Sequence, residues 1–176
     1  MALTAAHCIS KDEDGLNPGL TVKMYDGGEY EIKEFRTNEC WVHEWGSPYS
    51  ADIAIIVLDR PIPDAIEGVH YVPYWDAETM GDVVGRQFIL AGWGRSGAVE
   101  EDGSDANFTD GMEYFHRGYN VFTEIRDNIL VYVMDRPGSA DGVDLEVAGY
   151  YGDSGSGGFV EEEDGSLHIV GVLSHG

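Results

Sequence analysis

The chain has 176 residues, 43% of them hydrophobic, so it can build one domain or two small packed halves around a buried core. Its 10 basic and 33 acidic side chains give a net charge of −23, which makes nucleic acid an unfavourable partner. No apolar run approaches the roughly 18 residues of a membrane-spanning helix, so we expect no membrane insertion. We interpret the acidic side chains as a solvated coat that keeps the protein soluble.

Short strand-like runs, separated by glycine, aspartate and asparagine turns, follow one another along the chain. Two hairpins are predicted, one from residues 20–25 and 30–35 and the other from residues 158–161 and 167–173. Compact apolar runs of strand length occupy residues 53–58, 87–91 and 128–134. No segment has the pattern of an amphipathic helix. Many short strands at this spacing predict an all-β barrel or sandwich.

The middle of the chain predicts a linker, because residues 59–75 contain three prolines. We place this linker at residues 59–80, between a first part (residues 1–58) and a second part (residues 81–176). Residues 96–111 are acidic and lack apolar periodicity, which predicts a surface loop; a glycosylation sequon begins there at Asn107. Two cysteines are too few for a disulfide scaffold and the wrong number for a zinc cluster. The first residues lack the pattern of a signal peptide.

Three short segments contain residue types that can take part in catalysis: LTAAHC at residues 3–8, DIAIIVL at residues 52–58 and GDSG at residues 152–155. Each segment alone has an ordinary structural explanation. A single histidine is most often a core or surface residue. An aspartate before a strand, or a Gly-Asp-Ser-Gly run, is commonly part of a turn.

Taken together, the three segments supply the parts of a nucleophilic active site. A serine hydroxyl needs a nearby base, and histidine titrates in the range that lets it accept the proton and return it. A buried carboxylate orients the imidazole, and glycines beside the serine let the backbone present N–H groups to an oxyanion. The chain contains His7, Asp52 and Ser154 in this order.

These segments resemble the signature blocks of the chymotrypsin/trypsin-like serine proteases, and the order His, Asp, Ser is that of chymotrypsin. The resemblance implies two six-stranded-type antiparallel β-barrels of the chymotrypsin-like fold. Residues 1–58 would be part of the first barrel, with the catalytic histidine and aspartate, and residues 81–176 the second, with the nucleophile. Both barrels are expected to be incomplete, because the family carries further strands before the histidine block and further strands and a helix at the end. The resemblance implies that the protein is secreted. It implies no cofactor and no metal.

The resemblance assigns a role to each matched residue. Ser154 would be the nucleophile, His7 the general base and acid, and Asp52 the orienting carboxylate. The N–H groups of Gly152 and Ser154 would form the oxyanion hole. Asp153 matches an aspartate that pairs with a newly formed amino terminus in the family.

Substrate-binding positions follow in the same way. Ser174, His175 and Gly176 match the segment that pairs with the substrate backbone as an added strand, although an aromatic residue is common where His175 stands. Ala148 matches the floor of the primary specificity pocket. Because alanine carries no charge, we expect selection of an apolar or small side chain rather than arginine or lysine.

The resemblance also implies that Cys8 bonds to a cysteine upstream of the family's histidine block. A Cys8–Cys40 bond is the alternative within this sequence.

Three functions remain open at this point. The first is an endopeptidase that cleaves protein or peptide substrates through an acyl-enzyme intermediate. The second is a catalytically silent protease-like binding protein, or an inactive fragment. The third is an acidic calcium-binding module, but clusters such as Glu100, Glu101, Asp102 and Asp105 do not have the spacing of a calcium loop. The oligomeric state does not follow from the sequence.

Overall fold

A computed structural model describes residues 1–9, 19–24, 27–41, 51–63, 71–99, 105–106, 114–135 and 138–174. The chain divides into two compact units, Met1–Val72 and Pro73–Gly176. The elements of the first unit are β1 (Ala2–Thr4), α1 (Ala6–Ile9), β2 (Thr21–Lys23), β3 (Glu29–Thr37) and β4 (Ala54–Leu58). Those of the second unit are α2 (Ala77–Met80), β5 (Gln87–Gly92), β6 (Ala98–Val99), β7 (Asp105–Ala106), β8 (His116–Arg126), β9 (Ile129–Tyr132), β10 (Gly157–Glu161) and β11 (Leu167–Val172).

The first unit is built on an antiparallel sheet in the order β1-β4-β3-β2. The first predicted hairpin is confirmed, because β2 pairs with β3. Strand β3 alternates inward and outward side chains, and a bulge between Ile32 and Glu34 interrupts its pairing with β4. Because a bulge inserts one residue, it reverses the alternation, so Phe35 packs against the same core as Ile32.

The core of the first unit also orients helix α1. Ala6 and Ile9 are three residues apart, lie on one face of this single turn, and are 0% and 4% exposed. They pack with Tyr30 of β3 and with the inward residues of β4. His7 lies between these two positions in sequence, and its side chain is 38% exposed.

The second unit is built on an antiparallel sheet in the order β11-β10-β5-β8-β9. The second predicted hairpin, β10–β11, is confirmed. The predicted strands at residues 87–91 and 128–134 correspond to β5 and β9. Strand β8 was not predicted, although it has 11 residues and pairs with both β5 and β9.

Aromatic packing organises the core of the second unit. Phe88 of β5 and Phe122 of β8 stack with ring centroids 4.0 Å apart, and the ring of Tyr132 meets Phe88 edge-on at 5.1 Å. Phe88 and Val160 are the largest side chains that the described residues bury completely. Such aromatic pairs add to the stabilisation that their buried area provides.

The all-β prediction is confirmed, since each unit contains a curled antiparallel half-barrel. Two details differ from it. Single-turn helices occur at α1 and α2, too short for any amphipathic pattern, and the side chain of Asp76 caps α2 by accepting from the N–H of Glu78. The predicted surface loop at residues 96–111 contains the two-residue strands β6 and β7; its sequon lies outside the described residues. None of the helices in the described ranges is long and apolar enough to cross a membrane.

Candidate active site

Asp52 and His7 form a close pair in the first unit. Asp52 lies just before β4, and its side chain is only 3% exposed, whereas that of His7 is 38% exposed. One carboxylate oxygen, Oδ1, accepts from the main-chain N–H of His7 at 2.9 Å, and the other, Oδ2, lies 2.6 Å from Nδ1 of the ring. Two contacts to one carboxylate fix both the position and the rotation of the imidazole. Because Nδ1 donates to the carboxylate, Nε2 is the nitrogen that can accept a proton.

The surroundings of His7 favour its protonated form. The hydrogen bond to Asp52, and then that to the Cys8 thiol, raise the pKa of His7 above its ordinary value of 6.5, while partial burial acts in the opposite direction. A buried carboxylate beside the ring therefore stabilises the imidazolium that forms when Nε2 takes up a proton.

Both cysteines of the chain are free thiols. The Cys8–Cys40 bond considered from the sequence is not formed. Cys8 follows His7 on α1, and its sulfur lies 3.6 Å from Nε2 of the ring. Cys40 is exposed and lies in a turn where its N–H donates to the side chain of Asn38.

Ser154 lies in a tight turn of the second unit, residues 150–156, which we call the nucleophile turn because it carries the predicted nucleophile. The N–H of Asp153 donates to the carbonyl of Tyr150 at 3.0 Å, and the N–H of Ser156 donates to that of Asp153 at 2.9 Å. Gly152 has a φ of 93°, which glycine adopts without strain. Within the described part of the chain, no group accepts from the N–H of Gly152 or from that of Ser154.

The carboxylate of Asp153 connects the nucleophile turn to the segment after β5. Its Oδ1 accepts from the N–H of Gly94 at 2.8 Å, and its Oδ2 accepts from the N–H of Tyr150 at 3.1 Å. A Cβ on Gly92 would lie 2.2 Å from Oδ1, and one on Gly94 would lie 2.4 Å from Cγ. The Gly92-Trp93-Gly94 sequence is thus what allows this close approach. The contact with Gly94 was not predicted from the sequence.

The predicted substrate-binding residues are found in different surroundings. Ala148 is exposed and lines a cavity of about 350 Å³ in the second unit, together with Asp153 and Glu146. Ser174 is half-buried and follows β11. The predicted positions His175 and Gly176 lie outside the described residues.

The structure therefore brings the predicted residues together in two groups. His7 and Asp52 are in hydrogen-bonding contact in the first unit. Gly152 and Ser154 share one turn in the second unit, and Ala148 lies two residues before that turn.

The family of the chain follows from a comparison with known proteins. No curated protein matched the chain. The family model described as Trypsin matches residues 1–176. A β-strand architecture divided into two units, with the histidine and aspartate blocks on one and the serine block on the other, is the chymotrypsin-like fold of this family. The chain belongs to the trypsin family.

Proposed function

We propose that this protein is a serine-type endopeptidase that hydrolyses peptide bonds through Ser154, His7 and Asp52. The observation that carries the proposal is the contact of 2.6 Å between the buried Asp52 carboxylate and Nδ1 of His7. A histidine held in this way has the tautomer that a general base needs. Membership of the trypsin family supplies the substrate class, which is protein or peptide.

The proposed reaction begins when Oγ of Ser154 attacks the carbonyl carbon of the scissile bond and Nε2 of His7 takes its proton. The resulting imidazolium gives this proton to the leaving amine as the C–N bond breaks, which leaves an acyl-enzyme ester on Ser154. Water then attacks the ester with His7 again acting as the base, and the carboxylic acid product is released. Asp52 remains ionised throughout and keeps the imidazole oriented.

The oxyanion of each tetrahedral intermediate would be bound by the N–H groups of Gly152 and Ser154. Two observations support this role, namely the left-handed backbone of Gly152 and the absence of any described acceptor for either N–H. Donors that are already oriented stabilise the charge as it develops, which in related sites contributes about 10²–10³-fold to kcat for each donor.

We propose a preference for an apolar or small side chain on the acyl side of the scissile bond. Ala148 offers no charge to an arginine or lysine side chain. A panel of peptide substrates that is cleaved only after arginine would contradict this preference.

Asp153 has the position of the family's aspartate that pairs with a processed amino terminus. We propose that an ammonium group of this kind is its partner, because a nearby cation stabilises the ionised form of a carboxylate. The cavity that Asp153 lines has room for such a group. Secretion of the mature protease is part of the same proposal.

A fluorophosphonate probe tests the proposal, because it reacts only with a serine that a base and an oxyanion hole activate. We expect the wild-type chain to be labelled and Ser154→Ala to remain unlabelled. Ser156→Ala is the matched control, since this serine lies in the same turn. Absence of labelling in the wild type would favour a catalytically silent protein, and labelling of Ser154→Ala would refute the assignment of the nucleophile.

A further inference from the structure

The segment that carries Ala148 is held by side chains from the neighbouring strands. We call residues 147–150 the floor segment. Val147 forms two contacts to β8, because its N–H donates to the carbonyl of Tyr119 at 3.0 Å and its carbonyl accepts from the side chain of Asn120 at 2.9 Å. Two residues later, the N–H of Gly149 donates to the phenol oxygen of Tyr132 at 3.0 Å. Ala148 therefore lies between two anchored neighbours.

Tyr132 is a rigid anchor. It is the last residue of β9, and its ring packs edge-on against Phe88, which stacks in turn on Phe122. Both phenylalanines are almost fully buried, at 2% and 4% exposure. Because packed core side chains move little, the phenol oxygen is fixed relative to the sheet.

Gly149 is closely packed against Leu173. It is buried, and a Cβ at this position would lie 2.2 Å from Cδ2 of Leu173. Leu173 is also bonded to the nucleophile turn through its main chain, since it donates to the carbonyl of Ser156 and accepts from the N–H of Gly155. Displacement of Gly149 would thus reach the turn that carries Ser154.

We propose that Tyr132 is a positioning residue of this protease, whose phenol oxygen holds the Gly149 N–H and thereby fixes Ala148 in the orientation that selects the substrate side chain. This inference rests on the proposed function and extends it to the determinants of specificity. The anchor acts through Gly149 and the floor segment and does not touch the reacting atoms.

The ionisation behaviour of Tyr132 agrees with this role. Burial raises the pKa of the phenol, while the Gly149 N–H lowers it and the nearby Asp153 carboxylate raises it further. The resulting pKa of Tyr132 lies above the ordinary value of 10.0. The phenol is therefore neutral at neutral pH, where its oxygen accepts from the Gly149 N–H.

Hydrogen exchange of the Gly149 amide, followed by NMR on the ¹⁵N-labelled chain, tests the anchor directly. We expect a protected amide in the wild type and exchange that is roughly tenfold faster in Tyr132→Phe, since a buried N–H loses its acceptor. Tyr30→Phe is the matched control, because it removes the same atom from a buried tyrosine of the first unit. An unprotected Gly149 amide in the wild type, or equal exchange in Tyr132→Phe, would overturn the anchor without any activity measurement.

Substrate selectivity tests the consequence. We expect Tyr132→Phe to lower the ratio of kcat/KM between the best and the poorest substrate side chain by roughly tenfold, mainly through KM. Leu130→Ala weakens the same core without touching Gly149, so it should reduce stability and leave the ratio unchanged. An unchanged ratio in an active Tyr132→Phe would refute the positioning role. If the wild type is not labelled by the fluorophosphonate, the proposed function fails, and the Gly149 exchange still supports or overturns the anchor.

Discussion

Replacement of Asp52 by asparagine isolates the contribution of one buried charge to the site. The amide keeps the shape of the carboxylate, and its oxygen can still accept from the main-chain N–H of His7, as Oδ1 does at 2.9 Å. Its NH₂ group then takes the place of Oδ2, which lies 2.6 Å from Nδ1. Because this group donates, Nδ1 must become an acceptor and the neutral ring must carry its proton on Nε2. Such a histidine cannot accept the proton of Ser154.

The expected loss of activity is therefore large and the loss of stability small. In the general triad template the same change lowers kcat by about 10⁴-fold, or about 5 kcal/mol. A charge-assisted hydrogen bond contributes about 1.5–3 kcal/mol to folding. Since the His7 side chain is 38% exposed, we reduce this figure to about 1 kcal/mol for screening. The melting temperature of a chain of this size should fall by about 2–4 °C.

The assay combines fluorophosphonate labelling with ¹⁵N NMR of the imidazole nitrogens. In Asp52→Asn we expect the pKa of His7 to fall towards 6.5 and the neutral ring to show the Nε2–H tautomer. Asp59→Asn is a matched control, because Asp59 is also a carboxylate of the first unit that accepts a main-chain N–H, that of Glu31. Equal labelling of Asp52→Asn and wild type, or an unchanged pKa and tautomer of His7, would refute the reasoning.

Three further predictions concern the same structure. The pKa of His7 is raised above 6.5, so the rate of labelling should increase with pH only above this value. Cys8→Ala should shift this increase to lower pH and make labelling faster, because it removes the thiol that contacts Nε2. An unmoved pH–rate profile would contradict the role of the thiol. Gly94→Ala places a Cβ 2.4 Å from Cγ of Asp153 and should slow labelling at least tenfold. Gly171→Ala is the control, because its Cβ meets only an ordinary contact at 3.5 Å and should leave the labelling rate unchanged. Equal labelling rates for the two variants would show that Asp153 can move at no cost. Because the net charge is −23, the melting temperature should rise as sodium chloride is raised from about 0.01 M to 1 M, since the Debye length falls from about 30 Å to 3 Å and screens the repulsion. A melting temperature that calorimetry finds independent of salt would mean that the acidic side chains do not repel one another.

The pH dependence of stability follows from the same pair. Because the folded pKa of His7 lies above 6.5, the imidazolium binds Asp52 in the folded state and gains nothing in the unfolded state. The contribution of the pair is fully present below pH 6.5 and is lost as the pH rises through the folded value. The difference in free energy of unfolding between the wild type and Asp52→Asn should therefore narrow on the alkaline side.

The sequence predicted those parts of the fold in which hydrophobic pattern and turn chemistry agree. Both hairpins were found because apolar alternation flanks a short glycine-containing turn, and β4 was found because residues 54–58 are uniformly apolar. Strand β8 was missed for a physical reason. Three of its inward positions are Gly118, Asn120 and Phe122, so the buried face has only one large apolar side chain and shows no alternation.

In the candidate site, too, some residues could be predicted from the sequence and others could not. The sequence motifs predicted Ser154, His7 and Asp52 as candidate residues, because their chemistry requires particular residue types, and the structure brings His7 and Asp52 into contact. The anchor at Tyr132 could not be predicted, since a tyrosine that ends an apolar run has the pattern of any strand residue. Its role depends on which amide its hydroxyl reaches, and that amide, on Gly149, lies 17 residues away in sequence.

The glycines show why the supporting contacts remain hidden at the level of sequence. Gly27 and Gly165 have open space around them, and their positive φ values explain them as ordinary turn residues. Gly94, Gly118 and Gly149 are different, because a Cβ on each would come within 2.4 Å of a neighbouring side chain. These three lie where Asp153, Val147 and Leu173 press against the main chain, which are the contacts that hold the floor segment and the nucleophile turn. In the printed sequence the two kinds of glycine look alike. Substitution by alanine should separate them, since the strain at Gly27 remains local, whereas a Cβ at Gly149 would push against Leu173 and through it displace the turn that carries Ser154.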